Sequence, residues 1–98
     1  MERVVVVTGA AQGIGFAIAQ AFDNQGDYVA IADLNVEAAV KSASTLKNAK
    51  GYYLDVTNEE SVKAFYKELF DDKKTVDVVI NNAGLQFISS VEDFPLEK

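Results

Sequence analysis

The stretch TGAAQGIG, residues 8–15, sets three glycines and no charged side chain between two segments of different periodicity. Before it, Val4 to Val7 is an unbroken β-branched run, the pattern of a strand buried on both faces. After it, Ile14, Ala17, Ile18, Ala21 and Phe22 recur at helical spacing, and Gly26 follows as a C-terminal stop. A glycine loop that leaves a strand and opens a helix has a definite physical use. Gly9 permits the tight turn, Gly13 lets the backbone approach a pyrophosphate, and Gly15 allows the helix to pack closely on the strand. The helix then presents unsatisfied N–H groups and the positive end of its dipole to the phosphates. A glycine-rich turn without a ligand is the plainer alternative, but the strand before and the helix after are the context that a dinucleotide site requires.

The rest of the chain repeats the strand-helix alternation. YVAIAD from Tyr28 reads as a second buried strand, and Asn35 can cap a second helix with Ala39, Val40, Ala43 and Leu46 on one face. Gly51 to Leu54 reads as a third strand ending at Asp55. Thr57 and Glu60 then have capping-box spacing ahead of a stripe of Val62, Phe65, Tyr66, Leu69 and Phe70. Val76 to Ile80 is a fourth strand, broken by NNAG. Strands alternating with helices of this length imply a parallel sheet covered on both faces. The expected fold is α/β, a three-layer Rossmann-type half-fold with strand order 3-2-1-4, occupying residues 1–98 as one domain. Its ligand crevice lies at the carboxyl ends of strands one and four, where the topology reverses.

Composition narrows the function. A net charge of −6 opposes an electrostatic grip on nucleic acid or anionic lipid. Arg3 is the only basic residue before Lys41, so phosphate bound by this half is held by backbone amides and a helix terminus. With no cysteine and no histidine, thiolate chemistry, imidazole bases and the usual zinc sites are closed off. No apolar run approaches the roughly 20 residues of a membrane span. Glu2 also stands where a positively charged leader would be, so a cytoplasmic protein is the expectation.

Thr8-Gly9-x-x-x-Gly13-Ile14-Gly15, together with Asn81-Asn82-Ala83-Gly84, resembles the two cofactor motifs of the short-chain dehydrogenase/reductase family. The likeness runs along essentially the whole chain. It implies an oxidoreductase fold that binds a nicotinamide dinucleotide through Thr8, Gly9, Gln12, Gly13, Ile14 and Gly15. By the same resemblance Leu34 belongs to the cofactor site and Asp55 and Val56 contact the adenine, while Asn82, Ala83 and Gly84 brace the sheet and line the ribose beside the nicotinamide. Asp55 reads equally well as a turn or capping residue, and NNAG as a polar turn closing a strand. NNAGLQF followed by VEDFPLEK is similar to the 3-hydroxybutyrate dehydrogenases, in which the glutamine after the motif helps to hold the substrate carboxylate. That places Gln86 in a pocket for a short hydroxy or oxo acid, against the alternative of a solvated loop residue.

Asp33 ends the second strand, 18 residues after Gly15, near the offset of about 20 at which an acid meets the adenosine ribose. A carboxylate there accepts from the ribose hydroxyls and repels a 2′-phosphate, which selects NAD, and Gln12 brings no basic residue to the loop. The alternative is a surface acid near the start of the second helix.

In the family a tyrosine moves the proton, assisted by a lysine four residues later and a serine. Tyr28, Tyr52, Tyr53 and Tyr66 are followed at that spacing by Ala32, Val56, Thr57 and Phe70, so no residue here is assigned a catalytic role. The expectation is the cofactor-binding half of an oxidoreductase, inactive alone, whose fourth strand is an open apolar edge that a homo-oligomer would bury. The rival is a non-catalytic nucleotide-binding or assembly module.

Overall fold

The computed structural model describes residues 2–82 and the backbone of residues 89–90. These form β1 (Val4–Thr8), α1 (Gly13–Asn24), β2 (Tyr28–Asp33), α2 (Val36–Ala43), β3 (Ala49–Tyr53), α3 (Glu59–Lys73), β4 (Val78–Asn81) and β5 (Ser89–Ser90). The sheet runs β3-β2-β1-β4-β5. At its centre β1 pairs in parallel with β2, Val4 beside Tyr28 through Thr8 beside Ala32, and with β4, Val5 beside Val78 through Thr8 beside Asn81. β2 pairs in parallel with β3. The four parallel strands thus have the expected order 3-2-1-4.

Because successive strand residues face opposite ways, a continuous apolar run feeds two cores at once. Val4, Val6, Ala30 and Tyr52 pack against Phe65, Tyr66 and Leu69 of α3. Val5, Val7, Val29 and Ile31 pack against Ala19 of α1 and Ala39 and Ala43 of α2. The sheet is therefore the middle of three layers.

Several local expectations shift. β3 begins earlier, at Ala49, and β4 later, at Val78. On α1, Ile14, Ala17 and Ala21 face outward, and the buried face is Gly15, Ala19 and Asp23. Phe16, Ile18 and Phe22 are half-buried and pack against the same core, beside the close approach that Gly15 permits. On α2, Ala39 and Ala43 are buried while Val40 is exposed, and Leu46 falls beyond the helix end. The cap of α3 is Asn58, whose side chain accepts from the Ser61 N–H; the Thr57 hydroxyl instead donates to Asp55 Oδ1 at 2.7 Å. The edge of β4 is not left open either. β5 returns antiparallel to it, Val79 beside Ser89 and Val78 beside Ser90, so that stretch of the edge is paired within the chain.

Three aspartates clamp the amino ends of the strands. Asp27 forms a two-point ion pair with Arg3, with nitrogen-oxygen distances of 3.1 and 2.9 Å. Asp77 accepts from the Val4 N–H at 2.8 Å while its own N–H donates to the Val4 carbonyl. Asp23, buried in α1, accepts from the Lys47 and Asn48 N–H groups and fixes the entry to β3. Beside them the Tyr28 and Tyr52 hydroxyls lie 2.7 Å apart, and Tyr52 donates to Asp72. Burial pushes both phenols above the ordinary tyrosine range, whereas the Lys50 ammonium and then the Tyr52 hydroxyl hold the Asp72 carboxyl below its usual value.

Gly51 sets how closely α2 sits on β3. A Cβ there would lie 2.5 Å from the Val40 nitrogen and 2.6 Å from the Ala39 carbonyl carbon, both backbone atoms. Gly26, by contrast, has open space around it but a φ of +95°. Gly51→Ala is expected to cost about 2–4 kcal/mol in urea unfolding, because a helix must move. Gly26→Ala is expected to cost only about 1 kcal/mol, for conformation alone. Equal losses would contradict the contact. Since the folded Asp72 carboxyl is depressed, its stabilising share is present above the unfolded aspartate range of about 4 and is lost as pH falls through the lower folded value. Asp72→Asn should therefore flatten the acid limb of a stability profile taken between about pH 5 and pH 2 and leave its slope near neutrality alone.

Candidate dinucleotide site

The loop after β1 is shaped by two left-handed glycines, Gly9 at φ +62° and Gly13 at φ +67°. The Gly9 N–H donates to the Ala32 carbonyl at 2.8 Å, tying the loop to β2. From the other side Asn82 Nδ2 donates to the Gly9 carbonyl at 3.1 Å, and the Thr8 hydroxyl donates to Asn81 Oδ1 at 3.0 Å. The two asparagines at the end of β4 thus tie that strand to the end of β1 and to the glycine loop. Gly15 completes the junction. A Cβ on it would meet the Gly9 carbonyl oxygen, lie 2.6 Å from Asn82 Nδ2 and fall 2.9 Å from Ala10 Cα.

The head of α1 differs from those of its neighbours. α2 and α3 are capped by the Asn35 and Asn58 side chains and carry Glu37, and Glu59 with Glu60, in their first turns. α1 begins after Gln12, which is extended and makes no side-chain cap, and its first turn holds no acid. Its leading amides and dipole are consequently available to an anion. Gln12, Gly13 and Ile14 all lie exposed there, Ile14 at 76%.

Beside this head lies a cleft of about 290 Å³ whose walls include Thr8, Gly9, Asp33, Leu34, Asp55 and Val56. Leu34 and Val56 keep apolar side chains partly in solvent, at 63% and 37% exposure, as the walls of a slot for a flat ring would. Asp33 is not a loose surface acid. Its Oδ2 accepts from the Ala11 N–H at 3.1 Å and its Oδ1 from the Asn35 N–H at 3.0 Å, which leaves each oxygen a further lone pair. Asp55 takes the turn role that its sequence allowed. Its Oδ1 accepts from the Thr57 hydroxyl and N–H, which hold the carboxyl below its usual range, and its chain forms part of the cleft wall.

Six of the sequence-derived residues therefore share one cleft, and Asn82 joins it through Gly9. Ala83, Gly84 and Gln86 lie outside the described residues. The sequence reading missed Ala11 and Ser42, which meet through a hydrogen bond from the Ser42 hydroxyl to the Ala11 carbonyl. A helical serine so distant from the loop in sequence carries no local signal of such a contact. Among the described residues no three acidic side chains gather to hold a metal ion, and no helix is long and apolar enough to cross a membrane.

A family model described as short chain dehydrogenase matches residues 3–98. The chain belongs to that family. The oxidoreductase YxbG of Bacillus subtilis is 37% identical over 98% of this chain, and the sorbitol dehydrogenase of Cereibacter sphaeroides is 36% identical over 97%. The chain spans 37% and 38% of the length of these two relatives. Among solved structures, the Pseudomonas aeruginosa RhlG/NADP active-site complex superposes on 82% of the chain, and the chain on 34% of it, with a TM-score of 0.77 at 28% identity. The short-chain dehydrogenase fold and the glycine cradle thus agree from independent directions.

Gly15→Ala is expected to lower stability by about 2 kcal/mol or more, since its methyl group collides with the loop backbone. Asn82→Ala, which removes one brace, should cost about 1 kcal/mol. Chemical denaturation of the two variants checks the order, and a Gly15→Ala protein as stable as the parent would rule out the packing described.

Proposed function

We propose that this chain forms the NAD-binding part of an oxidoreductase acting on a CH–OH group, with a short 3-hydroxy acid such as 3-hydroxybutyrate as substrate. The observation that carries the cofactor reading is Asp33, whose carboxylate sits in the cleft wall beside an uncapped, acid-free helix terminus. The residues fit a dinucleotide on two further counts. The glycine cradle closes against Asn82 with no room for a Cβ at Gly15, and the cleft runs from the loop to the apolar edges of Leu34 and Val56.

In this reading the leading amides of α1 hold the pyrophosphate, and Leu34 and Val56 bracket the adenine. The free lone pairs of Asp33 accept from the ribose hydroxyls, and its charge repels a 2′-phosphate. Gln12 adds no cation to offset that repulsion. Asn81 and Asn82 keep the end of β4 against the loop, so that the site is shaped before ligand arrives. When bound, the nicotinamide supplies the hydride acceptor or donor. In this reading the residues of this chain hold and orient the cofactor. The substrate class is supported by Gln86 and by the resemblance of the sequence around it: a primary amide donates to a carboxylate without adding charge.

Titration calorimetry with NADH and NADPH tests the cofactor reading. The parent chain should prefer NADH. Asp33→Ala should weaken NADH by about tenfold or more, the worth of a charged hydrogen bond of about 1.5–3 kcal/mol, while NADPH loses less. An unchanged ratio between the two dinucleotides would remove Asp33 from this role.

A further inference from the structure

We propose that Ser42 is a positioning residue for the dinucleotide loop: together with Asp33 it clamps Ala11 from both sides and fixes the loop in its phosphate-binding shape. The inference rests on the dinucleotide reading above and extends it to a helix that lines no part of the cleft.

The loop needs such a clamp. Gly9 and Gly13, both at positive φ, are its most pliant points, and only Ala10, Ala11 and Gln12 lie between them. Ala11 is where the loop is gripped. Its N–H donates to Asp33 Oδ2 at 3.1 Å, and its carbonyl accepts from the Ser42 hydroxyl at 2.5 Å. The two grips come from consecutive elements, Asp33 from the end of β2 and Ser42 from the last turn of α2.

α2 is itself a fixed mount. The Asn35 N–H donates to Asp33 Oδ1, the Asn35 side chain caps the helix, and the backbone around Val40 rests on Gly51. Helical hydroxyls usually bond back to a carbonyl of their own turn. Just past the end of α2, Ser44 and Thr45 also bond locally, donating to the Lys41 and Ser42 carbonyls. Ser42 instead reaches across 31 residues of sequence to the loop. Since a trans peptide sets C=O and N–H on opposite sides, holding the Ala11 carbonyl toward α2 turns the Gln12 N–H away from it. Gln12 is the residue from which α1 starts, so the grip sets the first peptide of the phosphate cradle.

Preorganised amides matter to a ligand in proportion to the charge it places on them. Loss of the Ser42 hydroxyl should therefore be felt by a pyrophosphate and not by a nucleoside. ADP-ribose and adenosine, titrated by NMR into the parent chain, Ser42→Ala and Ser42→Thr, separate the two. Ser42→Ala is expected to bind ADP-ribose about fivefold more weakly, the worth of one neutral hydrogen bond, with adenosine unchanged and Ser42→Thr restoring affinity. In the ligand-free chain, Ser42→Ala should also speed hydrogen exchange at the Ala11 amide. Equal losses for both ligands, or unaltered ADP-ribose affinity in Ser42→Ala, would overturn the clamp while leaving the dinucleotide reading intact. Failure of the parent chain to bind either ligand would overturn the dinucleotide reading; unaltered Ala11 exchange would then discard the clamp as well.

Discussion

The peptide units of Gly9 are held from two directions, by β2 through its N–H and by Asn82 through its carbonyl, and the rest of the site hangs on that fixation. The turn leaves β1 at a left-handed φ that glycine adopts without strain. It then delivers α1 so close to the loop that Gly15 can carry no side chain. Because β1 lies between β2 and β4 in register, the same three strands that form the core also set the position of the loop. Packing and site geometry are thus one constraint, expressed through hydrogen bonds at the carboxyl end of the sheet.

The two ends of the sheet are built from different materials. At the amino ends, carboxylates serve as acceptors for backbone N–H groups and for Arg3: Asp27 and Asp77 tie the entries of β2 and β4 to that of β1, and Asp23 ties α1 to the entry of β3. At the carboxyl ends Asp33 and Asp55 also accept from backbone N–H groups, yet both remain in the wall of the cleft. The short-chain dehydrogenase family to which the chain belongs accounts for the glycine cradle, and the aspartate clamps account for how a small sheet holds the cradle still.

Much of this was legible in the sequence. β-branched runs separated by helical stripes announced the parallel sheet, and the alternation of Val4 to Val7 between two cores is why the strand had to be apolar without interruption. The glycine loop, Asp33 and the paired asparagines were readable because each is a local motif with a fixed offset. What stayed hidden were contacts that periodicity does not encode. The fully buried positions of α1 include Gly15 and Ala19, small residues that a search for bulk passes over, beside the half-buried Ile18 and Phe22 that the helical stripe did announce. Thr57 has the spacing of a cap, but Asp55 takes its hydroxyl and Asn58 caps instead. The short return of β5 against β4 carries no hydrophobic pattern in its two serines.

On the proposed dinucleotide reading, the net charge of −6, joined to a phosphate cradle made of amides, has a consequence for how ligand arrives. Arg3, the sole cation of the first forty residues, is committed to Asp27 at the far end of β1. A doubly anionic pyrophosphate therefore approaches against the long-range field and is attracted only once it reaches the helix terminus. Added salt screens the distant repulsion more than the contact, so association should quicken with ionic strength, the reverse of a nucleic-acid binder.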